Sequence, residues 1–159
     1  MKTLTLLQTL FSRDFKQYEG VRRINIYLLR LLFTLMFLTY DSWKYIFTHT
    51  GPWNTVDAAA WCMWGAYSSM SFIGIFHPLK MLPIVLFDII YKSTWLIIVA
   101  FPLWLNNELA GSPAEYMTMV FSGVIVFVIA MPWGYFFRNF IVPTTSKIQL
   151  FKEADPKSK

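Results

Sequence analysis

The sequence predicts an all-α integral membrane protein, in which four transmembrane helices form a bundle and an N-terminal amphipathic helix lies at the membrane surface. Three observations predict this polytopic fold. Hydrophobic residues make up 56% of the 159 residues and charged residues only 14%, against about 25% charged in a typical soluble domain. Four long apolar runs follow one another along the chain. Most of the positive charges lie outside these runs, in a one-sided pattern.

Residues 1–20 form the predicted N-terminal segment. Its apolar side chains recur at helical spacing, at Leu4, Leu7, Phe11, Phe15 and Tyr18. Charged side chains occupy the other faces, which is typical of a helix in the headgroup layer or of one that packs on the cytoplasmic ends of the bundle. Gly20 is a natural stop for this helix. A signal peptide is not predicted, because the apolar stretch is short and no small-x-small cleavage site follows.

Residues 21–142 form the predicted transmembrane domain. Its four spans are residues 24–47, 56–76, 82–105 and 114–137. The second span is rich in small residues, and its Gly65 and Ser69 form a small-xxx-small pair that lets another helix come close. Asn54 or Thr55 can cap this span. Pro132 predicts a kink in the fourth span, and residues 143–159 form a polar cytoplasmic tail.

Lysine and arginine predict the orientation. The turns at residues 48–55 and 106–113 contain no Lys or Arg, whereas eleven positive charges fall on the other side of a four-span chain: Lys2, Arg13, Lys16, Arg22, Arg23, Lys80, Arg138, Lys147, Lys152, Lys157 and Lys159. Cytoplasmic loops carry an excess of positive charge. Both termini are therefore predicted to be cytoplasmic, with the protein in the cell membrane.

Composition excludes several classes of function. The net charge of +5 does not predict nucleic-acid binding, because the basic residues flank apolar spans rather than forming one patch. Cys62 is the only cysteine, so an internal disulfide, a CxxC redox pair and a cysteine-based zinc site are excluded. No metal or cofactor is predicted. Common hydrolase and nucleotide-binding motifs are absent from the sequence, so no catalytic residue is predicted.

Asp88 and Lys92 are the central candidates for a functional site, because they lie well inside the third apolar run. A charge at such depth costs a few kcal/mol even on lenient insertion scales, so both should face a partner or a cavity. Their spacing of four residues places them on one helical face, where they can pair. Arg30 is predicted at matching depth in the first span, with Tyr27 and Tyr91 as hydrogen-bond donors.

Three interpretations of this cluster are open. The charges form an ion pair that fixes the register of the bundle, or they line a polar pocket that opens to the cytoplasmic leaflet and attracts an anion, or they contact a partner membrane subunit. Arg30 can also extend back to the interface instead of joining the cluster. His77 and Lys80, in the turn between the second and third spans, are candidates for binding lipid headgroups, although Lys80 is equally well explained as a topology charge.

The expected function is that of a non-enzymatic membrane protein that binds a lipid or small apolar ligand, or that supports a larger membrane complex. The alternative is a small transporter or channel subunit that uses the Asp88–Lys92 site and must oligomerise, because the chain is too short for most transport paths. A membrane-embedded enzyme acting on a lipid is the third class. The expected partners are membrane lipids and either further copies of the chain or a membrane-complex subunit.

Cysteine accessibility tests the predicted orientation. We expect a membrane-impermeant thiol reagent added from the cytoplasmic side to label Ser12→Cys and Ser158→Cys but not Asn107→Cys, with native Cys62 as the reference inside the second span. Labelling at position 107 from the cytoplasmic side contradicts the predicted topology.

Overall fold

A computed structural model of the chain describes residues 8–38 and 41–142. Within these ranges the chain is mostly helical, as predicted, and a short hairpin of β1 (Arg13–Asp14) and β2 (Val21–Arg22) precedes the long helices. The α-helices are α1 (Arg23–Leu38), α2 (Asp41–Thr48), α3 (Thr55–Phe76), α4 (Leu82–Trp95), α5 (Phe101–Leu105), α6 (Pro113–Ser122), α7 (Val124–Ala130) and α8 (Trp133–Phe136), and π-helical turns occupy Leu96–Ala100 and Phe137–Ile141. Residues 1–7 of the predicted N-terminal helix and the predicted tail at 143–159 lie outside the described residues.

Three helical stretches among the described residues are long and apolar enough to cross a membrane. They are Arg23–Thr48 with 26 residues, Leu82–Leu105 with 24 and Pro113–Ala130 with 18. The second predicted span forms the 22-residue helix α3, but α3 is not among the three. Its many small, hydroxyl-bearing and tryptophan side chains explain this, because they make a helix less apolar than Leu, Ile and Val do.

The prediction that one helix continues to Gly20 is wrong for the described part of the N-terminal segment. Residues 8–11 are helical, but residues 12–20 form β1 and the turn that leads to β2. The Asp14 carboxylate accepts hydrogen bonds from the backbone N–H groups of Lys16 and Gln17, at 3.1 and 3.0 Å. Such a side chain offers the backbone an alternative to the helix. The pKa of Asp14 is lowered, most of all by the hydrogen bond from the Gln17 amide. The Arg23 guanidinium and the Lys16 amide lower it further, and burial opposes them.

Gly20 closes the hairpin rather than a helix. Its φ of +81° and the φ of +51° at Glu19 lie in the left-handed region, at the end of the loop 15–20 that joins the two strands. The Gly20 N–H donates to the Asp14 carbonyl at 2.8 Å. The Arg23 guanidinium lies 3.1 Å from the Asp14 carboxylate, so the hairpin is tied to the first turn of α1.

The helix of the fourth predicted span is interrupted before Pro132. The sequence predicts a kink at Pro132 in a span that runs to about Phe137. In the structure α7 ends at Ala130, Met131 is extended with φ −65° and ψ 120°, and the chain becomes helical again in α8 from Trp133. A residue before proline is disfavoured in the α region, and Pro132 follows directly. The Asn25 amide of α1 donates to the Ala130 carbonyl at 3.0 Å and so satisfies part of this helix end.

The helix of the third predicted span, residues 82–105, contains one π-helical turn. At Leu96–Ala100 the backbone is π-helical, and the Phe101 N–H donates to the Leu96 carbonyl five residues back. Pro102 follows, has no N–H and crowds the carbonyl four residues before it. The wide turn accommodates that crowding and keeps residues 82–105 helical.

Small residues bring α3 close to α1 and α2. Gly65, Ser68, Ser71 and Gly74 are buried along one face of α3. A Cβ added at Gly74 would overlap the ring of Phe33, and one added at Gly65 would lie 3.3 Å from Trp43. Close packing at Gly65 is therefore confirmed, and Ser69, although exposed, accepts a hydrogen bond from the Trp43 indole N–H at 3.0 Å. The predicted cap is also confirmed, because the Asn54 side chain accepts the N–H of Val56 at 2.9 Å.

Substitution at Gly74 tests this packing. We expect Gly74→Ala to lower the free energy of unfolding in detergent micelles by about 1–3 kcal/mol, because Phe33 is fully buried and its ring cannot easily move away. Gly134→Ala is the control, since no atom lies within 4 Å of the added Cβ. A Phe33→Leu change should recover part of the loss. Equal stability of Gly74→Ala and the native chain contradicts the close approach.

Candidate functional site

An open pocket of about 470 Å³ lies among the helices, and we call it the central pocket. Side chains from α1, α2, α3, α4, α6 and α7 line it, so every one of the four predicted spans contributes. Most of its wall is apolar, made of Leu, Met, Val and Phe side chains. Its polar and amphipathic residues are Ser42, Trp64, Tyr67, Asp88, Tyr91 and Lys92.

The ion pair of α4 forms one wall of the central pocket. The Lys92 Nζ lies 2.8 Å from the Asp88 Oδ2, and the two residues are one helical turn apart. The Asp88 side chain is 3% exposed and that of Lys92 is 15% exposed. Burial this deep is costly for each charge alone, and the partner offsets part of that cost. The predicted pairing of these two residues is therefore present.

Aromatic rings surround the ammonium group on its other side. The Lys92 Nζ lies 4.4 Å from the ring centroid of Phe127 on α7 and 5.9 Å from that of Phe121 on α6. A cation over the face of an aromatic ring is attracted by the negative charge density of that face. Lys92 therefore connects α4 to the two helical pieces of the fourth predicted span.

Two buried polar atoms in the central pocket have no hydrogen-bond partner among the described residues. One is the Tyr67 hydroxyl of α3, and the other is the Oδ2 of Asp88. The Lys92 ammonium lies 2.8 Å from this oxygen and is its ion-pair partner. Tyr67 is close enough to Asp88 for its hydroxyl to interact with the carboxylate both by charge and as a hydrogen-bond donor. The hydroxyl, the carboxylate and the Lys92 ammonium therefore form one polar site in the central pocket.

The structure brings together only part of the predicted cluster. Tyr91 lines the central pocket with the ion pair, but Tyr27 is 54% exposed and lies outside it. Arg30 forms no ion pair with Asp88; its guanidinium lies 5.9 Å from the Tyr18 ring centroid, and its buried Nε has no hydrogen-bond partner among the described residues. Matching depth in two helices does not place two residues on facing sides.

His77 and Lys80 lie in the turn between α3 and α4, as predicted, and both are exposed. The His77 backbone closes α3 through its N–H, which donates to the Ile73 carbonyl at 3.0 Å. Neither residue lines the central pocket. Binding of lipid headgroups by their side chains stays a prediction.

Sequence reasoning missed Tyr67 and the rings of Phe121 and Phe127. Tyr67 lies in a helix whose sequence shows no clear apolar face, so no periodicity indicated which of its side chains turn inward. The two phenylalanines are ordinary residues of an apolar run. Only the path of the chain around Gly123 and Pro132 gives them their place beside Lys92.

Comparison of the chain with protein-family models, with curated proteins and with solved structures gave no match. Among the residues that the structure describes, no group of three or more His, Cys, Asp or Glu side chains is arranged to hold a metal ion. The groups available in the central pocket are an ion pair, tyrosine hydroxyls and an apolar wall.

Charge removal at Asp88 tests the role of the pair in stability. We expect Asp88→Asn to lower the free energy of unfolding by about 3–5 kcal/mol, because it leaves the Lys92 ammonium buried without its partner. The double change Asp88→Leu with Lys92→Leu should be close to neutral, because it removes both charges together. Reversible unfolding in detergent micelles measures both effects.

Asp57→Asn is the matched control for this experiment. Asp57 is an exposed acid in the first turn of α3, so its neutral form should cost at most about 1 kcal/mol. If Asp88→Asn costs no more than this control, the carboxylate is not held by the pair and the pairing interpretation is wrong.

Proposed function

We propose that the chain is a small multi-pass membrane protein that binds a lipophilic molecule with a hydrogen-bonding group in the central pocket. One observation carries this proposal: a single pocket with apolar walls is lined from all four predicted spans and holds a buried ion pair beside a buried tyrosine hydroxyl. Ligand pockets are typically concave and mostly apolar, with a few convergent polar groups.

A bundle of four spans with both termini in the cytoplasm is the architecture of this proposal. At 1.5 Å per residue, the 22 residues of α3 extend about 33 Å, close to the thickness of a bilayer's hydrocarbon core. Asp57, the single charged residue of α3, lies at its first turn. The close packing of α3 against α1 supports its place beside the three more apolar helical stretches, and the lysine and arginine pattern supports the orientation.

The chemistry of the pocket narrows the ligand. Its volume of about 470 Å³ is within the usual range for small-molecule sites, roughly 300–1,000 Å³. The charges of Asp88 and Lys92 balance, which favours a ligand without net charge. The Tyr67 hydroxyl is a donor and the Asp88 carboxylate an acceptor, and the two groups are close to each other. A hydroxyl or amide group both accepts and donates, so it complements both groups while the apolar body packs against the wall.

A proton-coupled transporter or channel subunit is the second candidate. Asp88 favours it, because ionisable residues inside membrane-spanning helices commonly mark substrate or ion pathways. In liposomes, this candidate requires a proton or ion flux that Asp88→Asn and Lys92→Leu abolish. Flux that is absent from the native chain, or that both variants retain, excludes it.

Native mass spectrometry of the gently purified chain tests ligand binding. We expect one stoichiometric lipophilic molecule to remain bound, and Tyr67→Phe to weaken its binding about 3- to 10-fold through the loss of one hydrogen bond. Tyr116→Phe is the matched control, because Tyr116 is 69% exposed and lies outside the pocket.

A pocket-filling variant provides the opposite check. Val120→Trp places a large ring at the wall of the central pocket, and we expect it to exclude the bound molecule while the chain stays folded. Undiminished retention of the molecule by a folded Val120→Trp variant means that it binds elsewhere, which contradicts the proposal.

A further inference from the structure

A second pocket, of about 390 Å³, lies between the N-terminal hairpin and the segment that follows α7. Three arginines line it: Arg13 from β1, Arg22 from β2 and Arg138 from the π-helical turn after α8. We call it the arginine pocket. Neither the ion pair of α4 nor any other residue of the central pocket belongs to it.

The arginine pocket concentrates positive charge, because three arginines line it and, among the described residues, only one further acid, Glu19, is close to a lining residue. Arg13 and Arg22 are directly opposite each other in the two-stranded ladder, an arrangement in which like charges repel. In the described part of the chain, no carboxylate lies within 4.0 Å of the three arginines: Asp14 is paired with Arg23, and Glu19, the other acid of the hairpin, is close to Tyr135 on the pocket wall. A folded chain that holds three such charges around one cavity attracts an anion to it.

The walls of the arginine pocket are fixed by other contacts. The hairpin is tied to α1 by the pairing of Asp14 with Arg23. On the opposite wall, the Asn25 amide donates to the Ala130 carbonyl at 3.0 Å, and the Trp133 indole N–H donates to the Val128 carbonyl at 3.0 Å. The backbone that carries the arginines is therefore held in place, while the three arginine side chains are themselves exposed.

We propose that the arginine pocket binds a phosphate group. The planar guanidinium group donates two parallel hydrogen bonds that match phosphate oxygens, and arginine is favoured where such recognition is needed. The pocket lies where α1 begins and α7 ends, two boundaries of apolar helical stretches. Trp133 and Tyr135 also line it, and aromatic residues of this kind are enriched at the headgroup level of membranes. The phosphate belongs to an anionic lipid or to a soluble compound.

Two probes distinguish these sources with the full chain in detergent micelles. Phosphatidylglycerol, compared with phosphatidylcholine, is titrated by native mass spectrometry, and inorganic phosphate is titrated by calorimetry. We expect Arg22→Gln and Arg138→Gln each to weaken binding at least about tenfold. Lys16→Gln is the matched control, because this exposed lysine of the same hairpin lies outside the pocket. We expect it to weaken binding less than about twofold.

The outcomes separate the site from general electrostatics. Arginine-dependent binding of phosphatidylglycerol alone identifies a lipid headgroup, and arginine-dependent binding of inorganic phosphate identifies a soluble ligand; either supports the proposal. Equal effects of all three variants, or no effect of any, overturns it, because net charge alone then explains the binding. Thermal unfolding checks folding, and Arg22→Gln should be at least as stable as the native chain because it removes a like-charge contact. If an arginine variant unfolds, Arg138→Lys gives the same test, because lysine keeps the positive charge but cannot donate two parallel hydrogen bonds.

Discussion

The buried ion pair between Asp88 and Lys92 is the constraint on which the middle of the molecule depends. Neither charge is tolerable in apolar surroundings without the other, so α4 must turn this face toward groups that can compensate it. The rings of Phe121 and Phe127 meet the ammonium, and the Tyr67 hydroxyl approaches the carboxylate. Three other helices are thereby positioned around one turn of α4. A polar group in an apolar environment thus specifies packing that apolar contacts alone leave ambiguous.

Close helix packing supplies the second half of the arrangement. Gly74 and Gly65 let α3 lie directly against Phe33 and Trp43, and Tyr67 is on the same helix between these two contacts. Phe33 belongs to the apolar core that α1 shares with α4 and α7. The position of the Tyr67 hydroxyl therefore follows from two glycines that touch no part of the pocket. The small residues of α3 and the charged pair of α4 therefore both determine the shape of the central pocket.

Much of the fold follows from local sequence patterns, and the exceptions have local causes. The pairing of Asp88 with Lys92 was predictable because a spacing of four has one geometric meaning on a helix. The cap was predictable because asparagine and threonine oxygens accept the first amides of a helix, and of the two candidates Asn54 is the one that does so. The hairpin was missed because helical spacing of apolar residues outweighed Asp14, whose carboxylate captures two backbone amides. Arg30 was placed by depth alone, and rotation about the helix axis, which depends on packing, turned it toward Tyr18.

The π-helical turn at Leu96–Ala100 changes which way the side chains face along the helix of residues 82–105. A wide turn accommodates one residue more than an α-helical turn, which rotates the side chains beyond it by about 100° relative to those before it. The stripe of side chains that begins with Asp88 and Lys92 therefore does not run straight to Leu105. This turn packs against α6. The helix therefore faces the pocket with one side before the turn and faces α6 with a different side at the turn. A deletion of one residue there would restore the α-helical phase and misalign the two surfaces, whereas most of the point substitutions would not.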